Sequence, residues 1–164
     1  MTQKFFIAAL VLFLNGAAIG QDASFQTKSL TPETALNAAK AAMDACRKNG
    51  YQVTVAIVDR AGLTQILIRD RFAGPHTIDV ATNKAWTAAS MKMSTTIFAA
   101  ETQAGKPMSA LRSHARVMAA GGGLVIEGAG TLLGGIGVSG APGGDADDAC
   151  AKAGLKAISE ALEF

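Results

Sequence analysis

The first apolar positions of the regular part of the chain recur at the spacing of a helix. They lie three or four residues apart and share one face: Leu36, Ala39, Met43 and Cys46. Thr31 precedes them as a candidate N-cap, with Pro32 at the first helical position. Asn49 and Gly50 then tolerate left-handed backbone geometry. The pattern predicts a helix between Thr31 and Asn49.

The next apolar positions alternate as they do in strands. In residues 51–58, Val53, Val55 and Ile57 form one face, and the opposite face is nearly as apolar. A strand that is apolar on both faces is expected at the centre of its sheet. A turn over residues 59–62 leads to a second strand over 63–69, and so short a connection makes the pair an antiparallel hairpin.

The rest of the chain repeats this alternation of helices and a hairpin. The predicted elements are a helix over 78–91, a helix capped by Ser94 and running to about 103, strands over 124–127 and 131–139, and a helix over 145–162. Residues 106–122 are predicted to be mostly loop. Two hairpins among four helices predict an α/β (α+β) domain, an antiparallel sheet whose faces the helices cover.

The composition indicates which side chains fill the core and which surfaces are not expected. The 164 residues are 49% hydrophobic but only 5% aromatic, so small side chains and close backbone approach must fill the interior. The formal net charge is only +2, and no run of Lys or Arg interleaves with aromatic residues. A nucleic-acid-binding surface is therefore not expected.

The N-terminus has the architecture of a secretory signal peptide. Lys4 supplies a positive charge, and residues 5–14 are apolar but too short to span a bilayer. Ala18 and Gly20 fit the small-x-small cleavage rule, and no Cys follows that could carry a lipid anchor. The sequence predicts a signal peptide over 1–20 and one mature domain over 21–164. We expect this domain to have no membrane span and to be periplasmic or secreted.

The two cysteines leave two structures open. Cys46 and Cys150 have no second Cys or His at metal-ligand spacing, which argues against a zinc site. In an oxidising compartment they can form a disulfide. The alternative is that both are buried thiols that act as small hydrophobic residues.

Residues 135–140 match the G-x-G-x-x-G pattern of dinucleotide sites, but the context does not. The first two glycines lie within a predicted strand, and the following helix opens with aspartates that would repel a pyrophosphate. Gly134, Gly135 and Gly137 instead remove side chains from the strand, so that a backbone, a helix or a flat ligand can approach. The glycines at 121–123 precede a strand and are expected to form a flexible loop.

Neither histidine belongs to a metal-binding or hydrolase motif. His76 follows a Gly-Pro turn just before a helix, with Arg69, Arg71 and Lys84 nearby in sequence. An imidazole can ligate haem iron and neighbouring cations can neutralise propionates. The alternative is that His76 caps the helix or lies in solvent. His114, in a basic loop, is expected in solvent.

Several segments together resemble the HbpS/GlcG-like family, also called haem-degrading or DUF336 proteins and related to the C-terminal domain of PduO-type corrinoid adenosyltransferases. The matching segments are LTPE at 30–33, VTVAIVD at 53–59, AGPHT at 73–77, NKAWTAA at 83–89, GGGL at 121–124 and GIGVSGAPGGD at 135–145. The resemblance covers nearly all of the mature chain. Residues 112–119 depart from the Pro-Gly-containing loop expected there.

The resemblance implies a profilin-like antiparallel sheet of about five strands with helices on both faces, and homo-oligomers that are often octamers. It also implies haem as cofactor, with His76 as the iron ligand, Lys84 at a propionate, and Thr77 and the weaker oxygen candidate Thr95 in the pocket region. The leading hypothesis is an exported haem-binding protein that degrades haem or sequesters iron. The alternatives are a haem-free accessory or small-molecule-binding protein of a periplasmic oxidation pathway, and an enzyme with Lys84 or His76 as base.

Overall fold

Residues 23–163 are the part of the chain that the structure, a computed structural model, describes. The predicted signal peptide lies outside these residues. The elements are α1 (Pro32–Lys48), β1 (Thr54–Asp59), β2 (Thr64–Arg69), α2 (Thr77–Met91), α3 (Thr95–Glu101), β3 (Gly123–Gly128), β4 (Thr131–Ser139) and α4 (Gly144–Ala157). Two 3₁₀ turns, Ser109–Ser113 and Ser159–Leu162, complete them. None of the described helices is long and apolar enough to cross a membrane.

The sheet is antiparallel throughout, with strands in the order β2-β1-β4-β3. β1 is central, as its two apolar faces predict. The described residues contain four strands where about five were expected. The extended leader before Pro32 is not a strand of this sheet. Its Leu30 side chain is part of the core, and the Leu30 carbonyl oxygen accepts from Gln65 Nε2 at 3.1 Å.

Helix and strand ends follow the sequence closely at some positions and not at others. Thr31 Oγ1 caps α1 by accepting from the Thr34 amide, and Ser94 Oγ caps α3 by accepting from the Ile97 amide. β1 starts at Thr54 rather than at residue 51, because its first sheet partners are Arg69 and Ser139 at the ends of β2 and β4. α4 ends before residue 162, since the chain tightens into a 3₁₀ turn after Ile158.

The helices lie on both faces of the sheet. α1 and α4 cover the face that carries Val53, Val55 and Ile57. α2 covers the other face, where the small residues of the helix pack on those of β1 in one buried cluster: Ala56, Val58, Ala81, Ala85 and Ala89. The expected core of small side chains is therefore found where α2 meets the sheet.

The glycines of β4 let α2 approach the sheet. A Cβ on Gly137 would collide with the carbonyl oxygen of Ala81, and one on Gly135 would collide with that of Ala85. Gly134 faces the carbonyl of Val58 in β1 in the same way. Of the three approaches left open by the sequence, those of a backbone and a helix are found, and they leave no room for a flat ligand over these glycines.

A disulfide between Cys46 and Cys150 joins α1 to α4 and resolves the open question about these residues. Both cysteines are buried in the larger core. The bond closes a loop of sequence separation 104. In the chain-entropy account, such a constraint on the unfolded chain contributes about 4–5 kcal/mol.

A buried ion pair ties α2 to α4. Lys84 Nζ lies 2.7 Å from Asp147 Oδ2 and donates to the carbonyl oxygen of Val138 at 2.9 Å. Asp147 Oδ1 also accepts from the Ala141 amide at 3.0 Å. Burial raises the pKa of the Asp147 carboxyl above its ordinary value, although the hydrogen bond from Lys84 acts in the opposite direction.

The aspartates at the start of α4 therefore do more than complement the helix dipole. Asp148 is buried too, and accepts from the Gly122 amide and from Thr96 Oγ1, each at 2.5 Å. These bonds fix the glycine segment before β3, which was expected to be flexible. The sequence explains an aspartate at a helix start by the helix dipole alone. The burial of Asp148 depends on α3 and on the segment before β3, which are far from it in sequence.

Replacing Gly137 by Ala should destabilise the fold by forcing α2 away from β4. Overpacking ordinarily costs about 1–3 kcal/mol of unfolding free energy, and we expect a loss of at least that size in urea denaturation. Gly143→Ala is the matched control, because a Cβ there meets nothing within 4 Å and its φ is −170°. The control should stay within about 0.5 kcal/mol of the parent protein. Equal losses in both variants would contradict the close-approach account.

Replacing Lys84 by Met should leave the Asp147 carboxylate buried without a cation, at a cost of about 3–5 kcal/mol at neutral pH. Without the ammonium, the pKa of Asp147 rises further. The loss relative to the parent protein should therefore shrink as the pH falls through that pKa and the carboxyl binds a proton. Urea denaturation at neutral and mildly acidic pH measures both effects. The double variant Lys84→Met/Asp147→Leu should recover much of the loss, and a double variant as unstable as the single one would refute the pairing.

Candidate functional site

A cleft of about 420 Å³ opens where the start of α2 meets the ends of β1 and β4. Its walls carry a histidine, a phenylalanine and several polar side chains: Gln52, Phe72, His76, Thr77, Ser139 and Asp147. A hollow of about 490 Å³ between β3 and the end of α4 is larger, but no histidine lines it. Chemistry rather than size therefore makes the cleft at α2 the candidate site.

The loop over residues 70–76, which forms one wall, is held to α1. Asp70 is buried and accepts from Arg47 Nε at 2.7 Å and from Arg47 Nη2 at 3.1 Å. These bonds hold the pKa of the Asp70 carboxyl below its ordinary value. Arg69 Nη1 donates to the carbonyl oxygen of Ala73 at 2.6 Å and fixes the middle of the loop. The wall that presents Phe72 and His76 is thus anchored at two points.

His76 lies at the mouth of this cleft. It is the N-cap residue of α2, but its side chain makes no capping hydrogen bond and is exposed. Within residues 23–163 the imidazole nitrogens have no hydrogen-bond partner. A Cβ on Gly74 would lie 2.7 Å from the His76 Cε1 atom, so the ring packs directly on this glycine. The glycine positions the ring and leaves a nitrogen available to a ligand.

Thr77 is also part of the cleft, but its hydroxyl is occupied. It is buried, with Oγ1 donating to the carbonyl oxygen of Gly74 at 2.6 Å and lying 2.7 Å from Thr54 Oγ1. These contacts close the turn that carries His76. Thr77 thus acts on the site through the backbone of residues 74–76.

The structure does not bring Lys84 and Thr95 to the cleft as ligand-binding groups. Lys84 is only 3% exposed and its ammonium is held by Asp147, so it is not free to meet a propionate. Thr95 is fully buried, and its Oγ1 accepts from the Gly123 amide at 2.8 Å. Of the four candidates, His76 and Thr77 lie in the cleft, and Lys84 reaches it only through Asp147.

Sequence reasoning missed the other polar residues of the cleft. Asp147 forms part of the wall, and Ser139 and Gln52 lie at the end of β4 and just before β1. The sequence signals for two of them are weak: Ser139 ends a glycine-rich strand, and Gln52 is a polar residue just before an apolar strand. Neither signal shows that the two segments meet the start of α2.

His114 is exposed, as expected, but one face of its ring is covered. Its ring stacks on Trp86, with centroids 5.4 Å apart and planes inclined by 7°. The Arg116 guanidinium lies 4.7 Å from the centroid of the Trp86 ring. This cluster attaches the loop before β3 to α2 and stands apart from the cleft. The described residues contain no group of three or more His, Cys, Asp or Glu that could hold a metal ion.

Comparison with known proteins identifies relatives of this fold. HbpS of Streptomyces reticuli, solved as a double mutant, is 36% identical over 93% of this chain and 98% of its own, with a TM-score of 0.78. PduOC, whose crystal structure is that of a heme complex, is 30% identical over 79% of this chain and 95% of its own, with a TM-score of 0.76.

A curated relative is the corrinoid adenosyltransferase PduO of Citrobacter freundii, which is 37% identical over 90 residues. The match covers 54% of this chain and 27% of PduO, so the chain spans about a quarter of that relative's length. Residues 30–156 match the family described as haem degrading protein HbpS-like. The fold, the matched segments and this match together show that the chain belongs to the HbpS-like family.

Proposed function

We propose that this chain is an exported haem-binding protein in which His76 ligates the iron. The observation that carries the proposal is an exposed imidazole, without a hydrogen-bond partner, packed on Gly74 at the mouth of the cleft. Support also comes from PduOC, a relative at 30% identity whose structure is a heme complex. An imidazole is a common axial ligand of haem iron.

The surroundings of His76 suit one edge of a flat aromatic ligand. Phe72 lines the same cleft and is 80% exposed, so its ring is free to pack on a macrocycle. Bound haem iron would supply redox chemistry at this position, while the chain's own residues bind and orient the group. Breakdown of haem would need an oxidant such as a peroxide, and the proposal therefore ends at haem binding.

The open cleft leaves much of a haem uncovered, and we include a homo-oligomer in the proposal for that reason. Aromatic residues are enriched in the interfaces between protein subunits, and Phe72 is an exposed one. A second copy that packs on Phe72 would cover the outer part of the ligand. Assembly into an octamer stays a prediction from the family resemblance.

The disulfide supports the proposal of export. Cys46 and Cys150 form a buried bond, and such bonds persist in oxidising compartments and are rare in the cytosol. The signal-peptide pattern over 1–20 predicts the same periplasmic or secreted location.

The alternative is a haem-free accessory protein that binds a small polar molecule. The polar floor of the cleft favours it, because Ser139 and Gln52 lie there and Phe72 and Tyr51 are the aromatic residues among its lining. PduO is named as a corrinoid adenosyltransferase, but this chain spans about a quarter of it. That activity is not part of the proposal.

Replacing His76 by Ala should remove most of the Soret absorbance that develops when the mature chain, residues 21–164, is titrated with haem. The reason is that the variant lacks the ring that would bond the iron. The chain offers a matched control in His114→Ala, since His114 stacks on Trp86 away from the cleft. The control should bind haem as the parent protein does. Unchanged haem affinity in the His76 variant would contradict the proposal that His76 ligates the iron.

Export predicts a processed, oxidised protein in the native host. The periplasmic or secreted fraction should contain a chain that begins at Gln21 and whose two cysteines resist alkylation until they are reduced. Intact-mass measurement with and without reduction checks both points. A full-length cytosolic chain with reactive thiols would contradict the proposal.

A further inference from the structure

One buried acceptor in the cleft is not used by the fold. Two buried side-chain atoms among residues 23–163 have no hydrogen-bond partner, Gln52 Oε1 and Gln65 Oε1. Gln52 lines the cleft, whereas Gln65 lies in β2 and does not. A buried polar atom without a partner costs free energy, which a ligand recovers when it supplies the missing hydrogen bond. Gln52 Oε1 therefore indicates a ligand group that donates a hydrogen bond.

The neighbours of Gln52 form the floor of the cleft. A Cβ on Gly140 would collide with the carbonyl oxygen of Gln52, so the segment before β1 packs directly on the residue that follows β4. Ser139, the last residue of β4, is only 5% exposed and also lines the cleft. Asp147 is held at this floor by the Ala141 amide, which donates to its Oδ1 at 3.0 Å. An amide oxygen, a carboxylate and a hydroxyl thus line the same floor.

The charges at the floor favour a neutral ligand. The buried oxygen of Gln52 and the carboxylate of Asp147 are acceptors, so an anion would meet lone pairs there. A cation is disfavoured as well, because Lys84 Nζ already lies 2.7 Å from Asp147 Oδ2. A second cation on this carboxylate would meet a buried like charge. A hydroxyl donates a hydrogen bond without carrying a charge, and its oxygen can accept one from Ser139 in return.

The walls beside this floor suit a short carbon chain. Tyr51, Phe72 and Pro142 line the cleft together with the polar residues. The cleft measures about 420 Å³, far more than the roughly 30 Å³ that one water molecule occupies in the liquid. A small organic molecule therefore fits. A few polar groups within largely apolar walls are the arrangement that fixes the orientation of such a ligand.

We propose that the floor of the cleft binds the hydroxyl group of a small neutral alcohol, which donates a hydrogen bond to Gln52 Oε1. The terminal torsion of a glutamine is soft and Gln52 as a residue is half-buried, so its amide can turn towards the ligand. Haem carries carboxylates and no alcohol group, so this subsite goes beyond the proposed function. It does not depend on His76, which lies at the mouth of the cleft.

The direct test compares ligands that share one carbon chain and differ in the polar group. Propanol, propylammonium, propionate and the methyl ether of propanol are added to the mature chain while NMR follows the side-chain amide signals of Gln52. Propanol should shift these signals saturably and bind more tightly than the other three. The ether is the closest control, because it accepts hydrogen bonds but cannot donate one.

Gln52→Met removes the acceptor and nearly keeps the length of the side chain. The variant should be at least as stable as the parent protein in urea denaturation, because an apolar group replaces a buried oxygen without a partner. It should bind propanol about threefold to tenfold more weakly, the range for the loss of one hydrogen bond. The backbone amide of Gly140, which packs on Gln52, reports binding in this variant.

Gln65→Met is the matched control. It also removes a buried oxygen without a partner, but from a residue outside the cleft. The variant loses the hydrogen bond to the Leu30 carbonyl as well, which lowers stability without changing the floor. It should bind propanol as the parent protein does.

The outcomes separate this inference from the proposed function. The subsite is overturned if propanol gives no saturable shift, or if the ammonium, the acid or the ether binds as tightly as the alcohol. It is also overturned if Gln52→Met binds propanol as tightly as the parent protein. Haem binding without alcohol binding contradicts only this inference, and alcohol binding without haem binding contradicts only the proposed function.

Discussion

The approach of α2 to β4 is the constraint on which the other features of this structure depend. Gly135 and Gly137 lie under the backbone of the helix, and any side chain there would meet a carbonyl oxygen. The helix therefore lies close to the sheet, and Thr77 at its start contacts the hydroxyl of Thr54, the sheet partner of Ser139. The cleft lies beyond the first residue of α2, and the close packing of α2 on β4 determines where its floor lies.

Two charged contacts then fix the walls of the cleft. The Lys84–Asp147 pair joins the buried face of α2 to α4. Asp147 also accepts from the Ala141 amide and thereby holds the segment after β4. Arg47 and Asp70 hold the opposite loop to α1. His76 is thus presented by a turn whose flanks are anchored, which favours a defined position for a ligand over an adaptable one. The acidic residues at the start of α4 thus have partners beyond the helix dipole: Asp147 pairs with Lys84, and Asp148 accepts from Thr96 and Gly122.

The sequence predicts local features well, because the residues that cause them are neighbours. The caps by Thr31 and Ser94, both hairpins and the two-sided apolar strand β1 each depend on a few adjacent residues. The strand glycines indicate close approach, but a sequence does not say whether a helix or a ligand approaches. The structure shows that a helix and a neighbouring strand approach, so a flat ligand has no room there.

The site was only partly predictable for the same physical reason. His76 stands out by its Gly-Pro turn and helix start, and both are local. Lys84 and Asp147 are 63 residues apart, so the pair that removes Lys84 from any ligand forms only in the folded chain. Thr95 bonds Gly123, 28 residues away, and is buried by it. Ser139 becomes a site residue only because β4 ends beneath the start of α2.

The central claim is that haem binds at the start of α2 through His76, and a crystal structure of the mature chain with haem tests it most directly. We expect the iron bonded to a ring nitrogen of His76, one face of the macrocycle against Phe72 and the edge of the ligand directed towards Ser139. A haem bound on another surface, with His76 left in solvent and the cleft unchanged, would contradict the account.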